Sequence, residues 1–166
     1  MEARDLHRYD GSVDAVLRFF VDPDIVKTKY VGTGARNVEF LQLDDRDGVS
    51  VIRTRREVPA DVPALLKKFL GAWNTVLQTE RWRATDDGGW LCALEVDVVR
   101  VPVTVRGTLT LRPEGEGCVN DVRIDIACGI PLLGRKLERF VAGDTKKAMD
   151  AEFAYISRQL EATGGG

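Results

Sequence analysis

The chain has 166 residues, a length that fits one domain able to bury roughly two thirds of its unfolded surface. Apolar residues make up 44% and charged residues 30%, which argues for a folded globular protein and against disorder. The net charge of −2, with both signs interspersed, leaves no basic face for nucleic acid or anionic lipid.

The N-terminus, Met1-Glu2-Ala3-Arg4-Asp5, is charged from the start and has no apolar core of a signal peptide. No apolar run approaches the ~18 residues of a membrane span, so the expected location is the cytoplasm, without integral membrane association. Ala3 to Tyr9 reads as a short first strand. Ser12 is placed to cap a helix over Val13–Phe20, whose Val13, Val16, Leu17 and Phe20 recur at helical spacing. Asp22 and Pro23 open a second short helix as cap and first residue, with Ile25, Val26 and Tyr30 on its apolar side. Gly32 and Gly34 end it.

From Ala35 the period changes to two. Strands are predicted over Asn37–Leu43 and Val49–Val58, joined by the turn Asp44–Gly48. Pro59 and Pro63 then frame a helical insertion, Val62–Leu70, with Leu65, Leu66, Phe69 and Leu70 on one side. Four more strands follow, Trp73–Thr85, Trp90–Arg100, Val103–Arg112 and Cys118–Cys128, and their short connections imply antiparallel neighbours. The last element is a long helix, Pro131–Leu160, striped by Leu133, Leu137, Phe140, Val141, Ala148, Ala151, Tyr155 and Leu160. Gly143-Asp144-Thr145 is its weak point. Residues 1–162 are expected to form the domain and residues 163–166 a disordered tail.

Alternation assigns the strand faces. Trp90, Cys92, Leu94, Val96 and Val98 share one side, as do Val103, Val105, Leu109 and Leu111, then Val122, Ile124, Ile126 and Cys128. One sheet face is therefore apolar and the other polar. A curved sheet leaves more space than one long helix fills, so an internal pocket is expected, the alternative being a solid core. On the strand Asn74–Arg83 the row Val76, Gln78, Glu80 and Trp82 points inward. Glu80 then needs a cation or a hydrogen bond, and Arg56, on the inward row Ile52, Thr54, Arg56 and Val58, is its candidate partner. That pair could be a structural strut or a polar anchor for a ligand. The predicted lining adds Trp82, Trp90, Leu94, Val96, Val105 and Leu109 from the sheet. Ile124 and Ile126 come from its last strand, Phe69 from the insertion, and Leu137, Phe140 and Val141 from the long helix.

Strand, two short helices, six strands and a long helix: this order resembles the helix-grip fold of the START and Bet v 1-like superfamily. Local segments resemble an uncharacterised bacterial branch of it, a domain of unknown function. They are His7-Arg8-Tyr9-Asp10, Asp22-Pro23, Arg56-Glu57-Val58-Pro59, Pro102-Val103-x-Val105-x-Gly107-Thr108-Leu109 and Ile130-Pro131-Leu132-Leu133-Gly134. Arg135 and Gln159 depart from that pattern. The resemblance implies an α+β fold, a seven-stranded antiparallel sheet curved around the C-terminal helix. It also implies one of three roles: carriage of a lipid or polyketide-like molecule, aromatase/cyclase-like catalysis, or a protein-interaction module.

Direct signs of chemistry are few. His7 is the single histidine, so no histidine cluster can hold a metal, and a hydrogen-bonded structural role beside the last helix is expected for it. Ser12, Ser50 and Ser157 lie in no nucleophile elbow, and Gly32-Thr33-Gly34 is too short for a dinucleotide fingerprint. Cys92, Cys118 and Cys128, odd in number and widely spaced, suggest neither disulfides nor zinc. No cofactor, metal or catalytic residue is assigned. Glu80, Arg56, Tyr9, Tyr30 and Tyr155 are the groups a pocket reaction could use, and the expected partner is a hydrophobic or amphipathic small molecule. The oligomeric state stays open.

Overall fold

Cap residues and strand alternation place nearly every element. A computed structural model describes residues 1–164. Ser12 Oγ accepts from the Ala15 N–H at 3.1 Å and opens α1 (Val13–Val21) after β1 (Glu2–Tyr9). Asp22 Oδ1 accepts from Asp24 and Ile25 to open α2 (Pro23–Gly32), with Pro23 at its first turn. Six strands follow: β2 (Arg36–Arg46), β3 (Val49–Pro59), β4 (Trp73–Ala84), β5 (Trp90–Val98), β6 (Val103–Glu114) and β7 (Gly117–Cys128). The long helix α3 spans Gly134–Ala162.

The strands form one seven-stranded sheet in the order β1-β7-β6-β5-β4-β3-β2, antiparallel throughout. Consecutive strands β2 to β7 are neighbours, and α1 and α2 carry the chain from one edge of the sheet to the other. Asp47 and Gly48, both at positive φ (52° and 76°), make the two-residue turn between β2 and β3. Midway along β6, Gly107 lies opposite Leu94 and Ile124, and a Cβ there would collide with the Arg123 carbonyl oxygen. Backbone approaches that close occur where a sheet bends sharply. The result is the helix-grip fold, a curved sheet closed over α3.

Three expectations change. The insertion after β3 is a single 3-10 turn, Ala64–Leu66, and Leu65 is exposed while Leu66 and Leu70 are buried. A segment that short cannot sustain α-helix nucleation on its own, and Pro63 at its cap offers no side-chain acceptor. The long helix starts at Gly134 and not at Pro131, because Leu132 takes φ 67° and projects into solvent. Gly143 does not interrupt the helix. At its other end, Thr163 Oγ1 donates to the Gln159 and Leu160 carbonyl oxygens and the Gly164 N–H reaches Glu161 O. Residues 165–166, the rest of the expected disordered tail, lie outside the described residues.

The inner sheet face is covered unevenly. Phe20 of α1 packs on Trp82 with ring centroids 5.3 Å apart, and Val16, Leu111, Cys92 and Tyr9 are buried in the same apolar cluster. Near the start of α3, Leu137 and Val141 are buried in the same apolar cluster as Val103 and Ile126. Farther along, Ile156 and Leu160 rejoin the core, and Tyr155 packs against Gly32 of α2 so tightly that a Cβ on Gly32 would lie 2.7 Å from its ring. Between Val141 and Ile156 the helix has no buried residue.

Candidate functional site: a cavity under the long helix

Along the side of α3 that carries Asp144, Ala148 and Glu152, a cavity of about 810 Å³ opens between the helix and the sheet. That volume falls in the range of pockets that enclose a small organic ligand. Its floor is the inner row of the sheet: Val76 on β4, Leu94, Val96 and Val98 on β5, Val105 and Leu109 on β6, Val122 and Ile124 on β7. Phe140, Val141, Ala148 and Met149 of α3 form the roof. Exposed lining residues cluster at Pro59, the last residue of β3, with Asp61 just beyond it, and at Lys147, Ala148 and Ala151 of α3, which locates the mouth between them. Asp144 sits half-buried at this rim. Burial raises its carboxyl, Lys147 opposes that rise, and Asp61 adds to it.

On the side of the cavity toward α2, the apolar lining gives way to a polar cluster. Arg56 Nη2 donates to Gln78 Oε1 at 2.9 Å, and Gln78 Nε2 donates to Glu80 Oε1 at 3.3 Å. The Arg56 guanidinium lies 4.0 Å above the Tyr30 ring, a cation–π contact that fixes its plane. Lys29 of α2 is fully buried, lies 4.3 Å over the Phe20 ring, and pairs with Glu152 of α3 at 2.9 Å. Burial alone would lower the Lys29 ammonium, but Glu152, Tyr30 and Glu80 outweigh it and raise the value. Lys29 therefore keeps its charge, and the ion pair ties α2 to the span of α3 that crosses the cavity.

Glu80 is only 4% exposed. Burial pushes its carboxyl up to about 7, against the opposing pull of Lys29 and Arg56 and with Glu152 adding to the rise. The indole of Trp82 also holds it down, although Trp82 Nε1 closes no hydrogen bond. A carboxyl balanced in this way exists in both forms near neutral pH. The neighbouring phenol of Tyr30 is raised by burial above all, so it is a neutral hydrogen-bonding group.

The structure brings together most of the expected lining: Arg56, Glu80, Leu94, Val96, Val105, Leu109, Ile124, Phe140 and Val141. Five residues fall elsewhere. Trp82, Ile126 and Leu137 are fully buried in the packed core, while Trp90 and Phe69 are half-buried against it. Each lies on the expected face, but at a position already filled by a helix or by the loop after β3. The expected contact between Glu80 and Arg56 is also corrected. Ile52 stands directly across from Glu80, Arg56 lies two inward positions farther along β3, and Gln78 bridges the gap.

Lys29 and Glu152 are the functional candidates that sequence reasoning missed. Lys29 follows Val26 and precedes Tyr30 on the buried face of α2, and that helical spacing was the available signal. Of the tyrosines, Tyr30 alone lines the cavity among the described residues; Tyr9 and Tyr155 do not reach it.

Outside the cavity, His7 stacks on Phe153 of α3 at 4.7 Å, and its Nε2 lies 3.3 Å from Asp5 Oδ2 without completing a hydrogen bond. Asp5, His7 and Asp150 could converge on a cation. The Lys146 ammonium already sits there, 2.6 Å from Asp5 Oδ2 and 2.7 Å from Asp150 Oδ1. All three cysteines are free thiols. Burial raises Cys92 far above the usual thiol range and Cys118 to about 11, which makes both poor nucleophiles.

Residues 6–160 match the family described as "Protein of unknown function (DUF2505)", and the chain belongs to that family. An uncharacterized protein of Mycobacterium tuberculosis is 24% identical over 152 residues, covering 87% of both chains. Among solved structures, a Thermus thermophilus protein superposes with a TM-score of 0.69 at 16% identity, covering 98% of this chain and 99% of the other. A STAR-related lipid transfer protein of Xanthomonas axonopodis gives 0.61 at 15% identity, over 93% and 85% of the two chains. A START superfamily protein of Mycobacterium smegmatis gives 0.60 at 13%, over 96% and 98%. At these identities the likeness establishes the START and Bet v 1-like fold. No helix among the described residues is long and apolar enough to cross a membrane.

Proposed function

We propose that this DUF2505 protein binds a hydrophobic or amphipathic small molecule, lipid or polyketide-like, in the cavity under α3 and carries it in the cytoplasm without converting it. The observation that carries this reading is the cavity itself: about 810 Å³, apolar along the sheet and α3, and reached from the gap beside Lys147 and Ala151. A void of that size is rare in a protein interior of ordinary packing density. Burying an apolar ligand in it gains about 25 cal/mol per Å², less the cost of ordering both partners. The lipid-transfer neighbour lends support at the level of fold. Native mass spectrometry of the purified protein, followed by solvent extraction, tests the reading. It expects a retained, unmodified apolar molecule, or saturable uptake of one; a protein that arrives empty and takes up no apolar probe would refute it.

One observation favours a second reading, aromatase/cyclase-like catalysis. Glu80 sits in the cavity wall with its carboxyl near 7, a value suited to general acid or base work. Turnover of a poly-β-ketone substrate, abolished in a folded Glu80→Gln variant, would establish it over carriage. An interaction module is the least supported alternative, because the exposed apolar side chains, such as Leu6, Leu43 and Val99, are scattered over separate strands and loops.

A further inference from the structure

The scatter of exposed apolar side chains has one exception. In the register of the sheet, Pro59 lies opposite Trp73, Val76 opposite Val98, Asp97 opposite Thr104 and Val103 opposite Cys128. The β3–β4, β5–β6 and β7–α3 connections therefore emerge at one end of the sheet. That end carries Leu65, Trp73, Val99 and Leu132, all exposed, whereas Leu43 lies toward the opposite end and Leu6 on the edge strand β1. Leu132 is the extreme case at 99% exposure. The Leu133 N–H donates to the Pro131 carbonyl at 2.8 Å across Leu132 at φ 67°, a γ-turn that is rare and strained. A leucine held out in water by a strained backbone gains nothing for the fold, and such outliers mark functional positions.

The charge at this end is one-sided. Residues 60–73, 99–102 and 129–136 contain Lys67, Lys68, Arg100, Arg135 and Lys136, all exposed, against a single acid, Asp61. The nearby acids Glu57, Asp97 and Glu138 are engaged by Arg36, Arg106 and the Cys128 N–H. Charges interspersed along the chain are thus sorted by the sheet register. We infer that this end docks on the surface of an anionic lipid bilayer, the apolar tips entering the interface and the cations facing the headgroups. Leu70, Ala60 and Asp61 of the same β3–β4 connection also line the cavity, so the docked end adjoins its mouth. Docking does not require an occupied cavity; only its purpose, loading and release at the bilayer, rests on the ligand-binding reading above.

Sedimentation of the full chain with phosphatidylcholine vesicles, without and with about one third phosphatidylglycerol, tests the docking. Binding to the anionic vesicles is expected to be tighter by roughly tenfold or more, and to weaken as salt rises from about 0.1 M to about 0.5 M. Lys67→Gln combined with Lys68→Gln should lower that affinity by roughly tenfold or more. Leu132→Gly relieves the strained turn, so it should melt at the same or a higher temperature while vesicle affinity falls about tenfold. Leu43→Ser, away from this end, should bind as the unaltered protein does. Equal affinity for the two vesicle types, or none for either, would overturn the inference. A dimer broken by Leu132→Gly, without vesicle binding, would likewise overturn it and assign the surface to a second copy of the chain. Uptake of a soluble apolar probe, measured without vesicles, reports on the cavity separately: its failure would sink the ligand-binding reading and leave the docking result standing.

Discussion

Two halves of the same sheet face behave in opposite ways. At the end where Trp82, Cys92 and Leu111 lie, α1 delivers Phe20 and Val16 and the space is filled. At the other end, Val76, Leu94, Val96 and Val105 carry the same alternating apolar pattern but face a void. What differs is the helix above. The nine residues of α1 fill the space above this end of the sheet, whereas α3 buries residues only near its two ends and between Val141 and Ile156 meets the edge strand β1 through Phe153, leaving the middle of the sheet uncovered. A strand pattern therefore marks a face as water-excluding without saying whether protein or ligand excludes the water.

Mutations at the two ends should respond accordingly. The largest effect is expected for Trp82→Ala in the filled half, a loss of about 3–5 kcal/mol in denaturant unfolding, because the cavity it leaves cannot collapse. A loss below about 1 kcal/mol would mean that this half is loosely packed as well. Next comes the polar tie across the void. Glu152→Ala leaves the Lys29 ammonium buried without its partner and should cost about 3 kcal/mol. Lys29→Met, which removes the buried charge and keeps the stem, should cost clearly less. Equal losses from both variants would show that the pair does not act as a buried ion pair.

The pH dependence isolates Glu80. Its folded value of about 7 lies above the ordinary 4.5, so its contribution to stability is complete below about 4.5 and is lost as pH rises through about 7. The groups that face it are Lys29 and Tyr30 from α2, Arg56 from β3, Gln78 from β4, Cys92 from β5 and Glu152 from α3. Glu80→Gln fixes the neutral form. Its stability should match the unaltered protein near pH 4.5 and exceed it by about 2–3 kcal/mol at pH 8.5, read from melts across that range. A constant difference at all pH values would remove Glu80 as the titrating group.

The smallest effect belongs to the void itself. Val96→Phe adds volume where space exists and should change stability by no more than about 1 kcal/mol, while Leu111→Phe in the filled half should cost about 1–3 kcal/mol. The first substitution should also weaken uptake of an apolar probe. If the two variants were equally destabilised, the contrast between the halves would fail.

Period and caps in the chain alone determined the local structure. Ser12 and Asp22 opened the first two helices, two-residue alternation assigned the inward row Val76, Gln78, Glu80 and Trp82, and short turns made the neighbours antiparallel. These features rest on interactions within a few residues. The insertion after β3 misled because its apolar residues Leu65, Leu66, Phe69 and Leu70 carry helical spacing, while the backbone after Pro63 forms only a single uncapped 3-10 turn. Tertiary structure alone decided which inward residues meet a helix and which meet a cavity. That choice depends on where α3 leaves the sheet, and it separated Trp82 and Ile126 from Leu94 and Ile124 although all four share one face. It also decided that Lys29, a charged residue on a helix of otherwise ordinary composition, would be buried. Its partner Glu152 lies more than a hundred residues away, and no local pattern links positions that distant until the sheet and its helices bring them together.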